Sequence, residues 1–208
     1  MRLVFSSKAE GSIPMAVKYP NWFKEIAQYN FEHFLLGEAD KPELSYLQLG
    51  AFTGDASLWL LQNVLTGEGS TLTDVDTWEG APNEPIQEEM DFSDVYSTYL
   101  DKVKAYDNVG HFRTTTQEFL LKQRNRLYSF DFVYVDAHHT SASALLDSEL
   151  SWDLLKSGGI LAIDDYEWTH PDGLEIHAPK LGISMFLDRH AGEYETLAIN
   201  SQAWLRKL

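Results

Sequence analysis

Short apolar runs alternate with amphipathic stretches along most of the chain, a pattern typical of strands joined by crossover helices in a parallel sheet. Helical spacing of apolar residues predicts the helices Asn21–Leu36, Ser57–Leu65, Phe92–Tyr106, Gln117–Leu127, Ser141–Leu155 and Leu181–His190. The predicted strands are Tyr46–Leu49, Ser70–Val75, His111–Thr115, Phe130–Val135, Ile160–Ile163, Thr196–Ile199 and Ala203–Arg206. This alternation predicts an α/β fold.

The strand Phe130–Val135 is almost wholly apolar. Strands covered on both faces lose the alternation of polar and apolar residues, so we expect this strand near the centre of the sheet. The first sixteen residues lack periodicity, and Pro14 and Pro20 bracket a predicted loop. The 208 residues suffice for one domain (residues 45–208), and we expect the helical segment 1–44 to pack on it or cap it.

Composition narrows the possible partners. The chain has 16 basic and 32 acidic residues, and its formal net charge of −16 disfavours nucleic acid and anionic membranes as partners. It has no cysteine, which excludes disulfides, thiolate metal sites and thiol nucleophiles. No signal-peptide core and no membrane-spanning apolar stretch occurs in the sequence, so a cytoplasmic location is expected.

Acidic residues follow three of the predicted strands: Asp76, Asp136 and the pair Asp164 and Asp165. In open α/β sheets, ligands bind beyond the carboxyl ends of the strands, so these acids mark the expected site. As an alternative, the same acids only cap loops and helices.

The turn after the first strand, Gly50-Ala51-Phe52-Thr53-Gly54, has two glycines that let the backbone bend sharply close to a ligand. Phe52 stands where the dinucleotide fingerprint needs glycine, which disfavours a NAD-dependent oxidoreductase. Asp76 follows at the separation that suits hydrogen bonds to a ribose diol. The alternatives are a merely structural turn and an Asp76 that caps Thr77 and Trp78.

Four motifs in sequence order carry a resemblance to a known family. They are Leu49–Gly54, Val75–Gly80, Phe130–Asp136 with His139 and Thr140, and Trp152–Gly159 with Asp164–Trp168. Together they resemble the class I S-adenosylmethionine (SAM) methyltransferases of the small O-methyltransferase-like type, the methyltransferase 24 family.

The resemblance implies a Rossmann-like fold with helices on both faces of a seven-stranded, mostly parallel sheet that ends in an antiparallel hairpin. It implies that residues 45–208 bind SAM, with Gly50 and Gly54 beside the methionine part and Asp76 on the ribose. The cofactor-binding residues expected on this basis are Gln48, Gly50, Ala51, Phe52, Thr53, Gly54, Asp76, Thr77, Trp78 and Asp136. Gln48 stands where the family usually has an acidic residue.

The carboxylates of Asp136, Asp164 and Asp165 are expected to converge on one hard cation such as Mg²⁺, which prefers oxygen ligands. In related metal-dependent O-methyltransferases an Asp-x-x-His element carries a metal ligand and the general base. Asp136-Ala137-His138-His139 matches that element, so the resemblance gives Asp136 and His139 catalytic roles. For His138 a structural role is an equal alternative, and His170 and His177 are interpreted as loop histidines.

The sequence therefore predicts an enzyme that methylates a hydroxyl of a small molecule with help from a divalent metal. Two alternatives stay open: a metal-independent small-molecule methyltransferase of the same fold, and a non-catalytic nucleoside-binding module. The acceptor, and whether the chain forms a homo-oligomer, are not predicted.

Overall fold

The computed structural model describes residues 19–81, 87 and 90–208. The predicted loop that begins at Pro14 lies mostly outside these residues. In the described part, the helices are α1 (Gln28–Leu35), α2 (Asp55–Asn63), α3 (Val95–Val103), α4 (Thr116–Gln123), α5 (Ser141–Leu154) and α6 (Pro179–Arg189). A π-helical turn at Phe23–Ala27 precedes α1, and 3₁₀ turns form at Leu36–Glu38 and Glu175–His177.

The strands are β1 (Ser45–Leu49), β2 (Thr71–Asp76), β3 (Val109–Arg113), β4 (Phe130–Val135), β5 (Leu155–Ile163), β6 (Tyr194–Ile199) and β7 (Ala203–Lys207). They form one seven-stranded sheet in the order β3-β2-β1-β4-β5-β7-β6. The strands from β3 to β5 pair in parallel, and β7 runs antiparallel to both β5 and β6. The predicted fold, including the C-terminal hairpin, is confirmed.

Strand β4 lies between β1 and β5, in agreement with its apolar sequence. Its side chains alternate between two cores: Phe132 and Tyr134 pack on one face of the sheet, while Val133 and Val135 pack on the other. Helices therefore cover both faces, as a parallel sheet requires.

The first of these cores includes the N-terminal helix. Phe31 of α1 is fully buried, and its ring lies edge-on to the rings of Tyr134 and Trp204 at centroid distances of 4.9 and 5.3 Å. Edge-to-face pairs of this kind stabilise a core beyond the area they bury. Helix α1 is thus packed against the middle of the sheet.

The strands β5 and β3 differ most from their predicted bounds, and the other strands agree to within two residues at each end. Strand β5 begins at Leu155, where Ser157-Gly158-Gly159 had predicted a turn; the pairing with β4 shifts between Phe130 and Phe132 to accommodate this irregular start. Strand β3 ends at Arg113, two residues before its predicted end, and its largely exposed side chains give it a weak hydrophobic pattern. None of the described helices combines the length and apolar character needed to cross a bilayer.

Candidate active site

A cleft of about 510 Å³ opens at the carboxyl ends of β1, β2, β4 and β5. The sheet order reverses between β1 and β4, and such a reversal leaves a crevice in which α/β proteins bind ligands. All ten residues expected to contact the cofactor belong to the elements around this cleft, and nine of them line it: Gln48, Gly50, Ala51, Phe52, Thr53, Asp76, Thr77, Trp78 and Asp136. Gly54 stands just behind them at the start of α2.

The turn after β1 is built on close backbone contacts. Gly50 has a φ of +89°, and a Cβ added there would lie 1.7 Å from the carbonyl oxygen of Asp136. Gly54, at the start of α2, has a φ of +81°, and an added Cβ would lie 2.9 Å from the ring of Tyr99. Both positions require glycine, because a side chain would be strained and would also clash.

The carboxylate of Asp76 holds this turn against β2. Its Oδ2 accepts hydrogen bonds from the backbone N–H groups of Ala51 (2.7 Å) and Phe52 (2.8 Å). Its Oδ1 accepts from the N–H of Trp78 at 2.7 Å, so the capping interpretation of Asp76 is also observed. Asp76 therefore borders the cleft with its charge partly neutralised by three backbone donors.

The remaining residues of the turn are fixed by side-chain contacts. The indole Nε1 of the buried Trp78 donates to the carbonyl of Phe52 at 2.9 Å. Gln48 is buried, and its Nε2 donates to the carbonyl of Gly50 at 2.9 Å. Thr53 Oγ1 donates to Asp55 Oδ2 at 2.8 Å. The turn is thus largely shaped before any ligand enters.

Three non-glycine residues around the cleft have left-handed backbone conformations. Phe52, Trp78 and Asp165 have φ values of +45°, +54° and +60°. Such conformations cost about 1–3 kcal/mol each and persist where the surrounding contacts enforce them, which is typical of functional sites.

At one end of the cleft, Asp136, His139 and Asp165 each present one ligand atom, and these atoms all lie within 4.8 Å of one another. His139 Nε2 is 2.9 Å from Asp165 Oδ2, and the His139 ring lies 5.1 Å from that of Trp168. The two carboxylates supply oxygen ligands that suit one divalent cation, and the imidazole lies beside them, where it can serve as a further ligand or as a base.

Of the three aspartates that were expected to converge, Asp136 and Asp165 belong to this cluster. Asp164 lines the cleft, but its Oδ2 accepts a short hydrogen bond from the hydroxyl of Tyr134, and its Oδ1 accepts from the N–H of Asp165 at 2.8 Å. The third member of the cluster is His139 instead. Asp164 also holds the backbone of Asp165 through its Oδ1.

Crowding of carboxylates raises their pKa values. Burial, followed by the charges of Asp164 and Asp165, raises the pKa of Asp136 well above its ordinary value, although His139 opposes this. Burial and the charge of Asp165 raise the pKa of Asp164 to about 6. A cation among these groups would relieve their repulsion, which is a second reason why the residues fit one.

The cleft also has walls that sequence reasoning missed. Thr114, Thr115, Thr116 and Gln117 line it from the end of β3 and the start of α4. Their position just after a parallel strand is the signal that could have identified them, since ligands bind beyond the carboxyl ends of such strands. Phe92 and Trp22 complete an aromatic wall, and Trp22 stacks on Phe52 at a centroid distance of 5.0 Å.

Fold comparisons return solved methyltransferase structures. An O-methyltransferase from Bacillus cereus in complex with SAH is 16% identical, with a TM-score of 0.55 over 93% of this chain and 94% of that one. A Clostridium thermocellum protein described as an rRNA methylase is 13% identical, with a TM-score of 0.61 over 91% and 99%. The MycE methyltransferase of the mycinamycin biosynthetic pathway, in complex with Mg, SAH and mycinamycin VI, is 15% identical, with a TM-score of 0.57 over 92% and 50%.

These likenesses show the fold, which is that of the class I SAM-dependent methyltransferases. A family model described as a methyltransferase domain, Methyltransferase 24, matches residues 47–166, and the chain belongs to that family. It is a SAM-dependent methyltransferase, as predicted. No curated protein sequence matches the chain.

Proposed function

We propose that this protein is an O-methyltransferase that methylates a hydroxyl group of a small molecule with the assistance of a divalent cation. One observation carries the proposal: Asp136, His139 and Asp165 converge at one end of the cleft. The turn of residues 50–54, the glycine turn, lines the same cleft next to them. Cofactor and cation sites then lie side by side, and the remaining volume of the cleft receives the acceptor.

The residues fit SAM for specific reasons. The glycine turn leaves room that a side chain at Gly50 would fill, so a ligand can approach the backbone closely. Asp76 directs a carboxylate along the wall of the cleft, where it can accept hydrogen bonds from ribose hydroxyls. Gln48, in place of the family's usual acid, would offer the methionine amino group a neutral amide oxygen.

Trp22, Phe52 and Phe92 offer an apolar surface for the nucleoside. Because Trp22 precedes α1 and lines the cleft, we further propose that residues 19–44 close this end of the cleft. The cleft has room for a small molecule, and the net charge of −16 disfavours nucleic acid as the acceptor.

Asp136 and Asp165 would hold the cation, and Asp164 would fix Asp165 through its backbone N–H. When bound, SAM supplies an electrophilic methyl group and the cation lowers the pKa of a coordinated hydroxyl. His139 Nε2 would accept the hydroxyl proton, and the oxygen would then bond to the methyl carbon while the electron pair of the carbon–sulfur bond stays on sulfur. A base of this kind contributes about 10² to 10⁴ in rate.

The pair formed by His139 and Asp165 favours a second candidate, a metal-independent enzyme of the same fold. The negative charge of Asp165, 2.9 Å from His139 Nε2, would stabilise the imidazolium that forms when the ring takes up a proton, so this pair could act as a base without a metal. The two candidates differ in their response to chelation.

The test uses untagged protein, labelled SAM and a panel of catechols, flavonoids and glycosides. Label transfer that EDTA abolishes and Mg²⁺ restores supports the proposal. Transfer that is indifferent to EDTA overturns the metal-assisted mechanism and selects the second candidate. Calorimetric titration with S-adenosylhomocysteine tests the cofactor site separately: no heat with the wild-type protein would overturn the assignment of the cleft, whatever the acceptor.

A further inference from the structure

A second cluster of metal-ligating side chains lies outside the cleft, on the connection between β5 and α6. His170, Asp172 and His177 each present one ligand atom, and these atoms lie within 4.8 Å of one another. Asp172 joins the two histidines: its Oδ1 is 2.8 Å from His170 Nδ1, and its Oδ2 is 2.6 Å from His177 Nδ1.

The local backbone sets this arrangement. The N–H of Leu174 donates to Asp172 Oδ1 at 2.9 Å, and the N–H of Gly173 donates to the carbonyl of His170, also at 2.9 Å. His177 is the last residue of a 3₁₀ turn, whose N–H donates to the carbonyl of Leu174 at 3.0 Å. The loop therefore folds the three side chains toward one point through its own hydrogen bonds.

One ring nitrogen of His170 lies close to two atoms of Asp172. His170 Nδ1 is 3.2 Å from the backbone nitrogen of Asp172 and 2.8 Å from its Oδ1. A positive charge, carried either by a proton on the ring or by a metal ion, stabilises this contact between the ring nitrogen and the carboxylate.

The distances are close to those of a transition-metal site. Two ligands on a tetrahedral zinc, each about 2.0–2.1 Å from the metal, lie roughly 3.3 Å apart. The observed contacts of 2.6 and 2.8 Å would open by about half an ångström, and the partly exposed side chains of Asp172 and His177 leave room for so small a movement.

We propose that His170, Asp172 and His177 bind one borderline-soft divalent cation of the zinc type, with solvent completing its coordination. Two imidazoles and one carboxylate favour Zn²⁺ or Co²⁺ over Mg²⁺, which prefers an all-oxygen shell. The cluster in the cleft, with two carboxylates, has the opposite preference. One chain would thus carry two metal sites of different selectivity.

The position of this site gives it a role. The His170 ring lies 6.0 Å from that of Trp168, which lines the cleft and contacts His139. A metal that links residues 170 and 177 would fix the loop next to Trp168, and with it the wall of the cleft beside His139. This proposal does not depend on O-methylation, because the site stands on residues that the reaction does not use.

The test is the zinc stoichiometry of untagged protein, measured by calorimetry and by elemental analysis after gel filtration. Asp136→Asn and Asp165→Asn together remove the cleft cluster, and in that background one equivalent of Zn²⁺ is expected to remain bound. Adding His170→Gln and His177→Gln should remove that equivalent, whereas His33→Gln, a substitution of an exposed histidine elsewhere, should leave it.

Circular dichroism establishes that each variant is folded. A Co²⁺-loaded sample of the wild-type chain gives an independent measurement, since imidazole nitrogen ligation produces visible d–d absorption whose intensity reports the coordination number. The proposal is overturned if zinc stoichiometry is the same with and without His170 and His177, or if the cleft variant binds no zinc while it remains folded.

Discussion

The Cα of Gly50 lies against the carbonyl oxygen of Asp136, so that the ends of β1 and β4 are in contact where the glycine turn begins. This contact determines how closely the glycine turn and the acid cluster approach each other. Any side chain at residue 50 would separate the two halves of the proposed site.

Replacing Gly50 with alanine is therefore expected to lower the free energy of unfolding by about 2–5 kcal/mol, from left-handed strain together with overpacking. It should also weaken S-adenosylhomocysteine binding more than tenfold. Urea unfolding and calorimetry measure the two effects. Gly110→Ala is the matched control, because an added Cβ there has no neighbour within 4 Å; equal effects of the two substitutions would contradict the contact.

Asp76→Asn removes the charge that three backbone N–H groups share. The amide has one acceptor oxygen, so its NH₂ group must face at least one of these donors. Hydrogen bonds to a charged group are worth about 1.5–3 kcal/mol, and we expect a loss of stability of that order together with at least tenfold weaker cofactor binding. Asp101→Asn, at an exposed position, should change neither quantity. Unchanged binding in Asp76→Asn would remove Asp76 from the cofactor site.

His139→Gln should slow methyl transfer without changing the affinity for the cofactor. Loss of the base is expected to reduce kcat by about 10² to 10⁴ while the dissociation constant of S-adenosylhomocysteine stays within a few-fold of the wild-type value. Single-turnover rates with a responsive acceptor measure the first, and calorimetry measures the second. His138→Gln is the neighbouring comparison, and an equal loss in both variants would argue that neither histidine is a specific proton acceptor.

The buried carboxylate of Asp147 should make the stability of the folded chain depend on pH. Asp147 is buried on α5, where its carboxylate accepts from Thr116 Oγ1 (2.8 Å) and Gln117 Nε2 (2.6 Å), and burial raises its pKa from 3.8 to about 6. The folded chain binds this proton more tightly than the unfolded chain does. The resulting stability is fully present below about pH 4 and is lost as the pH rises through about 6.

Asp147→Asn should remove this pH dependence and make the protein more stable than the wild type by up to about 3 kcal/mol at neutral pH. Chemical unfolding of both proteins at pH 4, 5, 6 and 7 measures the difference, which should grow over that range. A difference that is constant with pH would show that Asp147 does not titrate in this window. Asp101→Asn serves again as the exposed control.

The order of strands and helices could be predicted because the burial of β4 and the amphipathic helices leave a direct pattern in the sequence. The irregular start of β5 could not, since Ser157-Gly158-Gly159 has the composition of a turn and becomes strand only through pairing with β4. The predicted bounds of the exposed strand β3 were two residues too far along the chain, because little hydrophobic pattern marks the ends of this strand.

At the site, the strand-end rule located Asp76, Asp136 and Asp165 around one cleft. It could not predict that the Asp164 carboxylate accepts hydrogen bonds from the Tyr134 hydroxyl and from the backbone N–H of Asp165, because these partners are set by the tertiary structure. Sequence position determines which strand end carries an acid, whereas side-chain direction is decided by tertiary partners.

The stacking of Trp22 on Phe52 also gives the chain an intrinsic optical reporter. The indole lies against the cofactor turn at the mouth of the cleft, so a molecule that enters there changes the surroundings of a fluorophore. We expect tryptophan emission to report ligand titrations without an added dye, and Trp22→Phe should lose the part of the signal due to Trp22, while Trp78 and Trp168, which also line the cleft, keep theirs.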